Sequence, residues 1–84
     1  MTGQTVDPAV TLITRVNCHL CQDARQTVAA VCAREGVSWV ELDVDADPLR
    51  QAEFGDLVPV VLVSGVEHAH FRVDPQRLAQ ALRR

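Results

Sequence analysis

The chain has no lysine and no tyrosine, and its aromatic complement is one tryptophan and two phenylalanines. Eight arginines stand against eleven acids, for a net charge of −3. No basic field therefore exists to draw phosphate backbones or anionic lipid, and nucleic acid is not an expected partner. With so few aromatics there is no platform for bases or sugars. Long hydrophobic runs are also missing. Even the run that includes Val58 to Val63 is far short of the ~20 residues that span a bilayer. Met1-Thr2-Gly3-Gln4-Thr5 has neither the cationic nor the apolar region of a signal peptide. These absences predict a cytoplasmic protein without a membrane partner.

What is present is an apolar fraction of 48% in 84 residues, the composition of one small globular domain. A chain of this size buries only about 60 to 65% of its unfolded surface, which leaves little room for an enclosed cofactor. Chemistry is expected at the surface, with no bound cofactor, in a monomer. Residues 1–8 read as a flexible polar lead and residues 9–84 as the domain.

Ala9 to Thr14 is a β-branched run suited to a strand buried on both faces. From Cys18 to about Glu35, Leu20, Ala24, Val28 and Val31 recur at helical spacing, and Gly36 closes the helix. Val37 to Val44 alternates as a second strand, and Asp47-Pro48 caps a short helix that runs to Phe54 and stops at Gly55. Leu57 to Val63 is a third strand with Pro59 near its start, and Ser64-Gly65 turns it into a fourth, Val66 to Val73. That fourth strand is expected to put His68, His70 and Arg72 on one face and Ala69, Phe71 and Val73 on the other. Asp74-Pro75 caps a last helix, with Val73 and Leu78 spaced as a hydrophobic staple. Arg83 and Arg84, at its end, read as solvated charges favoured by the helix dipole. The order βαβ-α-ββα predicts an α/β fold with one four-stranded mixed sheet flanked by helices, which suits a thioredoxin-like architecture.

Cys18-His19-Leu20-Cys21 falls where the first strand gives way to the helix. Cys18 is expected in the first helical turn with Asn17 as its N-cap. Residues three apart on a helix lie about 5 to 6 Å from each other, inside the ~4.4 to 6.8 Å Cα range of an unstrained disulfide. A thiol at a helix N-terminus can have a pKa anywhere from about 3.5 to 7.5, and His19 adds a second potential cation. Cys18 is thus the expected nucleophile and Cys21 the resolving thiol of a dithiol–disulfide pair, tuned by Asn17 and His19. A zinc or copper site would need two more ligands. None of the spacings of structural zinc sites occurs, and His68 and His70, which project from one face of a strand, read more simply as solvated edge-strand side chains, so no metal is expected. A metal-binding or redox-inactive interaction module remains the alternative. Cys32 lies about 16 Å further along the helix and reads as a small apolar core residue. Trp39 and Phe54 read as core. Asp43, Asp45 and Asp47 lack the glycine and distal glutamate of a calcium loop and read as strand exit and helix caps.

Several motifs in order, C-H-L-C followed by an acid and alanine (Cys18 to Ala24), D-x-D-A-D-P-L (Asp43 to Leu49), F-G-D-L-V-P-V-V (Phe54 to Val61) and F-x-V-D before the last helix, resemble the glutaredoxins of the thioredoxin-fold superfamily, and more closely the short bacterial glutaredoxin-like proteins. The resemblance implies a cis Val58-Pro59 peptide beside the cysteines, with the Val58 backbone presented to an extended substrate and Arg15 standing where glutathione-using relatives have a lysine. Those relatives also carry a Gly-Gly pair followed by an acid, where this chain has Ala69-His70-Phe71-Arg72. The activity implied is thiol–disulfide exchange on a disulfide-containing protein or a small thiol substrate. The electron donor would be a reductase or a small thiol, with glutathione or another low-molecular-weight thiol as candidate co-substrate.

Overall fold

The computed structural model describes residues 8–83, so most of the expected lead and Arg84 lie outside the described residues. The elements are β1 (Val10–Thr14), α1 (His19–Glu35), β2 (Trp39–Asp43), a 3-10 turn (Val44–Ala46), α2 (Pro48–Phe54), β3 (Val60–Val63), β4 (Val66–His70) and α3 (Pro75–Leu82). They build one sheet in the order β2-β1-β3-β4, with β1 and β2 parallel and the other neighbours antiparallel. This is the thioredoxin-like βαβ-α-ββα arrangement that the sequence predicts.

β1 is central because its residues serve two cores. Val10 and Leu12 pack with Val28, Val31 and Cys32 of α1, Val61 of β3, and Leu78 and Ala79 of α3. Ile13 points the other way, to Val44, Phe54 and Val60. All three β1 residues are at most 1% exposed. Two-faced burial explains why this strand is rich in β-branched and apolar residues and lacks charge. Cys32 takes its expected place in the larger core, and Trp39 packs against it as a partly buried neighbour.

Helix ends follow the chain's turn chemistry. Asp47 accepts from Leu49 N–H, and Asp74 accepts from Gln76 and Arg77 N–H, each with proline opening the helix behind it. Gly36 closes α1 at φ 69, a left-handed conformation that glycine adopts without penalty. Ser64 and Gly65 both have positive φ, 51 and 81, as a two-residue hairpin turn requires. Arg83 is not simply solvated: it bonds both carboxylate oxygens of Glu35 at 3.1 and 2.9 Å, tying the end of α3 to the end of α1.

All four strands are shorter than expected: β1 starts one residue later, at Val10, and β3 starts at Val60 and not at Leu57, so that Val58-Pro59 precedes the strand. β2 ends at Asp43 because its carboxylate accepts from Asp45 N–H at 2.9 Å, which starts the 3-10 turn and turns Val44 into the smaller core. β4 ends at His70 and carries a bulge. Val61 faces Ala69 but Leu62 faces Glu67, so His68 is the extra residue. The bulge breaks the strict two-face division expected for His68 to Val73. Phe71, at φ 66, then turns the chain out of the sheet and is 44% exposed.

Leu78 is fully buried between α3, α1 and the sheet. Leu78→Ala is expected to destabilise the fold by about 2–5 kcal/mol, measured by denaturant unfolding.

Candidate active site

β1 delivers the chain to a short turn, Arg15-Val16-Asn17, at the carboxyl end of the parallel pair. Asn17 stands at φ 63, a left-handed backbone that asparagine tolerates better than most residues. That turn moves the helix start by one residue, which corrects two expectations. Asn17 is not the N-cap, and Cys18 is not in the first turn. Cys18 is itself the N-cap, in extended conformation (φ −112, ψ 116), and its Sγ accepts the Cys21 N–H at 3.2 Å. The half-buried Cys18 sulfur thus sits on the free amides of α1, and its carbonyl accepts from Gln22 N–H at 3.2 Å.

Cys21 lies one turn deeper and is fully buried. Its thiol is pushed up to about 11, first by burial and then by its hydrogen bond with Cys18. The Arg15 backbone N–H and the Arg25 charge pull in the opposite direction and are outweighed. The two sulfurs of one C-x-x-C therefore have unlike surroundings. One is accessible and capped by an amide, the other is enclosed and held as the thiol.

Arg15 was expected to offer its charge to a substrate. In the structure its Nε and Nη2 bond Asp45 at 2.9 and 3.1 Å, and Nη1 bonds the Gly55 carbonyl at 3.0 Å. The guanidinium clamps the 3-10 turn and the end of α2 onto the β1 exit. His19 is exposed and makes no polar contact among the described residues. The Val58-Pro59 peptide is cis. Pro59 is buried, Val58 is partly buried against the smaller core, and the Pro59 carbonyl accepts from Phe71 N–H at 2.8 Å. His70 Nδ1 lies 3.1 Å from Glu67 and its ring meets Phe71 edge-on. Among the described residues, no group of three or more His, Cys, Asp or Glu side chains comes together to hold a metal ion.

One cluster was missed by the sequence reading. Arg25 makes a two-pronged ion pair with Glu41, at 2.7 and 2.6 Å, and Glu41 also accepts from the Thr14 hydroxyl at 2.7 Å. With Arg15, Val16 and Asp43 these residues line a surface groove of about 360 Å³ beside the cysteine turn. The helical spacing of Arg25 from Cys21 could have been noticed, but its tie to Glu41 depends on the register of β1 against β2. A smaller cleft of about 90 Å³ lies between Leu20, Asp23, Ala24 and Thr27 of α1 and the segment Phe71 to Val73.

A mixed sheet with a C-x-x-C at the start of the helix after its central strand defines a thioredoxin-fold protein. Residues 9–83 match the family described as Glutaredoxin-like domain (DUF836), and the chain belongs to that family. It is 38% identical over 76 residues to an uncharacterised protein of Mycobacterium tuberculosis strain H37Rv, covering 84% of this chain and 78% of the relative. Among solved structures, the X. campestris protein XcR50 is 30% identical with a TM-score of 0.73, covering 89% of this chain and 96% of the other. A glutaredoxin from Archaeoglobus fulgidus superposes with a TM-score of 0.62 at 17% identity, covering 93% and 89%, and supports the fold alone. Among the described residues no helix is long and apolar enough to cross a membrane.

With no lysine and no tyrosine in the chain, thiols are the side chains that titrate between about pH 9 and 11. Burial also raises Cys32. A thiol whose folded pKa lies above its unfolded value of about 8.5 stabilises the fold below that value. This stability is lost as pH rises through the folded pKa. Unfolding free energy should therefore fall from about pH 9 toward 11, and Cys21→Ala should flatten that fall, as read by denaturant unfolding across the pH range.

Proposed function

We propose that the protein is a thiol–disulfide oxidoreductase in which Cys18 attacks and Cys21 resolves. The observation that carries this reading is the unequal pair: a half-buried Cys18 whose Sγ caps α1, and a fully buried Cys21 whose N–H donates that bond at 3.2 Å. A helix N-terminus favours negative charge on the group that caps it, so attack belongs to the accessible sulfur.

In the first step the Cys18 thiolate forms a bond to one sulfur of a substrate disulfide. The substrate S–S bond breaks, and the departing thiolate takes a proton from water. Cys21 then loses its proton and attacks Cys18 Sγ, expelling the second substrate thiolate. The substrate has gained two electrons and the protein holds a Cys18–Cys21 disulfide. An external thiol, either a reductase or a low-molecular-weight thiol such as glutathione, returns the pair to the dithiol. All reacting atoms on the protein side are sulfurs of the chain, so no bound cofactor is required. Because the pair must be re-reduced after each turnover, the reading assigns the work to a reducing compartment, the cytoplasm. Val58, just ahead of β3, is the backbone an extended disulfide-containing polypeptide would pair with.

The test is a trapping experiment with the full chain and a model disulfide. Cys21→Ser should accumulate a mixed disulfide through Cys18, seen by mass spectrometry, while Cys18→Ser should lose exchange to background. Exchange that survives Cys18→Ser would contradict the reading.

A further inference from the structure

The inference concerns Arg25 and rests on the dithiol reading above. Arg25 follows Cys21 by four residues, so the two are neighbours on one face of α1. Its guanidinium is fixed from β2, with Nε on Glu41 Oε1 at 2.7 Å and Nη2 on Oε2 at 2.6 Å. Glu41 is fixed in turn from β1, where the buried Thr14 donates its hydroxyl to Oε2 at 2.7 Å. The Arg25 and Glu41 side chains are 41% and 31% exposed, and ion pairs at that exposure add little to stability. A chain of contacts from two strands thus holds a long side chain still for little gain in folding. Beyond Glu41, its strongest partner, the Arg25 charge acts on Cys21 and, more weakly, on Cys18.

We propose that Arg25, held in place by Glu41 and Thr14, is a positioning residue that keeps a fixed positive charge beside Cys21 and so stabilises its thiolate in the resolving step. The bidentate fork suits this task because two bonds to one carboxylate fix the direction of the charge. The groups that face Cys21 are Cys18 and Arg25 from α1 and the Arg15 backbone N–H from the end of β1. Burial and the Cys18 contact oppose ionisation, so the Arg15 amide and Arg25 are what makes the buried thiolate reachable. The chemistry is the second exchange already described. Cys21 gives its proton to solvent, its sulfur bonds Cys18 Sγ, and the bond from Cys18 to the substrate sulfur breaks, that sulfur leaving as thiolate.

An opposite charge within a few ångströms lowers an acid's pKa by about 1–3 units. Glu41 cancels part of the Arg25 charge, and Arg25 is the weakest of the influences on Cys21, so about one unit is the upper bound. At that bound, a tenfold loss of thiolate is partly offset because a more basic thiolate is a better nucleophile, with a Brønsted coefficient of about 0.4–0.5, which leaves roughly a threefold loss of rate.

The experiment is stopped-flow reaction of the full chain with an aromatic disulfide whose thiol is coloured. Attack by Cys18 releases one thiol and resolution by Cys21 a second, while buried Cys32 stays silent. In Arg25→Gln the second release should slow by up to about threefold near neutral pH and its pH inflection should rise by up to about one unit, with the first release changing less. Arg25→Lys, which keeps the charge without the fork, should fall between the two. A second release with the wild-type rate and pH profile in Arg25→Gln overturns the proposal. So does equal slowing of both releases with the profile unmoved, the signature of a merely structural role. Should the wild-type chain give no second release and no Cys18–Cys21 disulfide, the dithiol reading itself fails, a result separate from either of these.

Discussion

The bond from Cys21 N–H to Cys18 Sγ is the contact on which the site depends. It begins α1, holds the first cysteine at the helix mouth and leaves the second one turn inside. The other helical starts are capped by aspartate, at Asp43, Asp47 and Asp74. Oxygen-bearing caps are the favoured ones, worth typically about 1 kcal/mol over a residue that cannot cap. Placing a thiol at the start of the longest helix forgoes that advantage, and the exchange chemistry proposed for Cys18 accounts for it. The cost is tolerable because α1 is anchored along its length by Ala24, Val28, Val31 and Cys32 in the larger core.

Around that bond the arginines divide the work. Arg15 belongs to two networks, its backbone N–H turned to Cys21 and its guanidinium fastened to Asp45 and the Gly55 carbonyl. The turn that carries Cys18 is thereby tied to the 3-10 turn and to the end of α2. Arg25 is fastened to β2 through Glu41, whose carboxyl it holds below the usual carboxylate range. Both guanidiniums grip a carboxylate with two bonds, a geometry an ammonium cannot reproduce. The absence of lysine, without meaning in the sequence alone, fits a site whose cations serve as rigid two-point struts.

Much of the fold was legible because local chemistry and tertiary packing agree in this chain. The Asp-Pro caps at Asp47 and Asp74, the stop at Gly36, the Ser64-Gly65 turn and the two-faced β1 all read directly from residue type and spacing. The thiol pair was legible for the same reason. Three features were not. A left-handed Asn17 has no sequence signature strong enough to move a helix start by one residue, so Cys18 read as a helical residue and not as the cap. The bulge at His68 depends on how β4 meets β3, and alternation alone predicts a regular strand. The link from Arg25 to Glu41 and Thr14 joins residues from three elements, and only the pairing of Leu12 with Glu41 in the parallel β1–β2 register brings them together.

The central claim is that Cys18 and Cys21 form one working dithiol while Cys32 stays apart in the core. The measurement that tests it most directly is equilibration of the protein in graded thiol–disulfide buffers, followed by alkylation and peptide mapping of all three cysteines. The expected result is a single reversible two-electron transition in which Cys18 and Cys21 are lost to alkylation together and Cys32 remains a thiol throughout. A pair that stays reduced across the whole range, or a disulfide that includes Cys32, would contradict it.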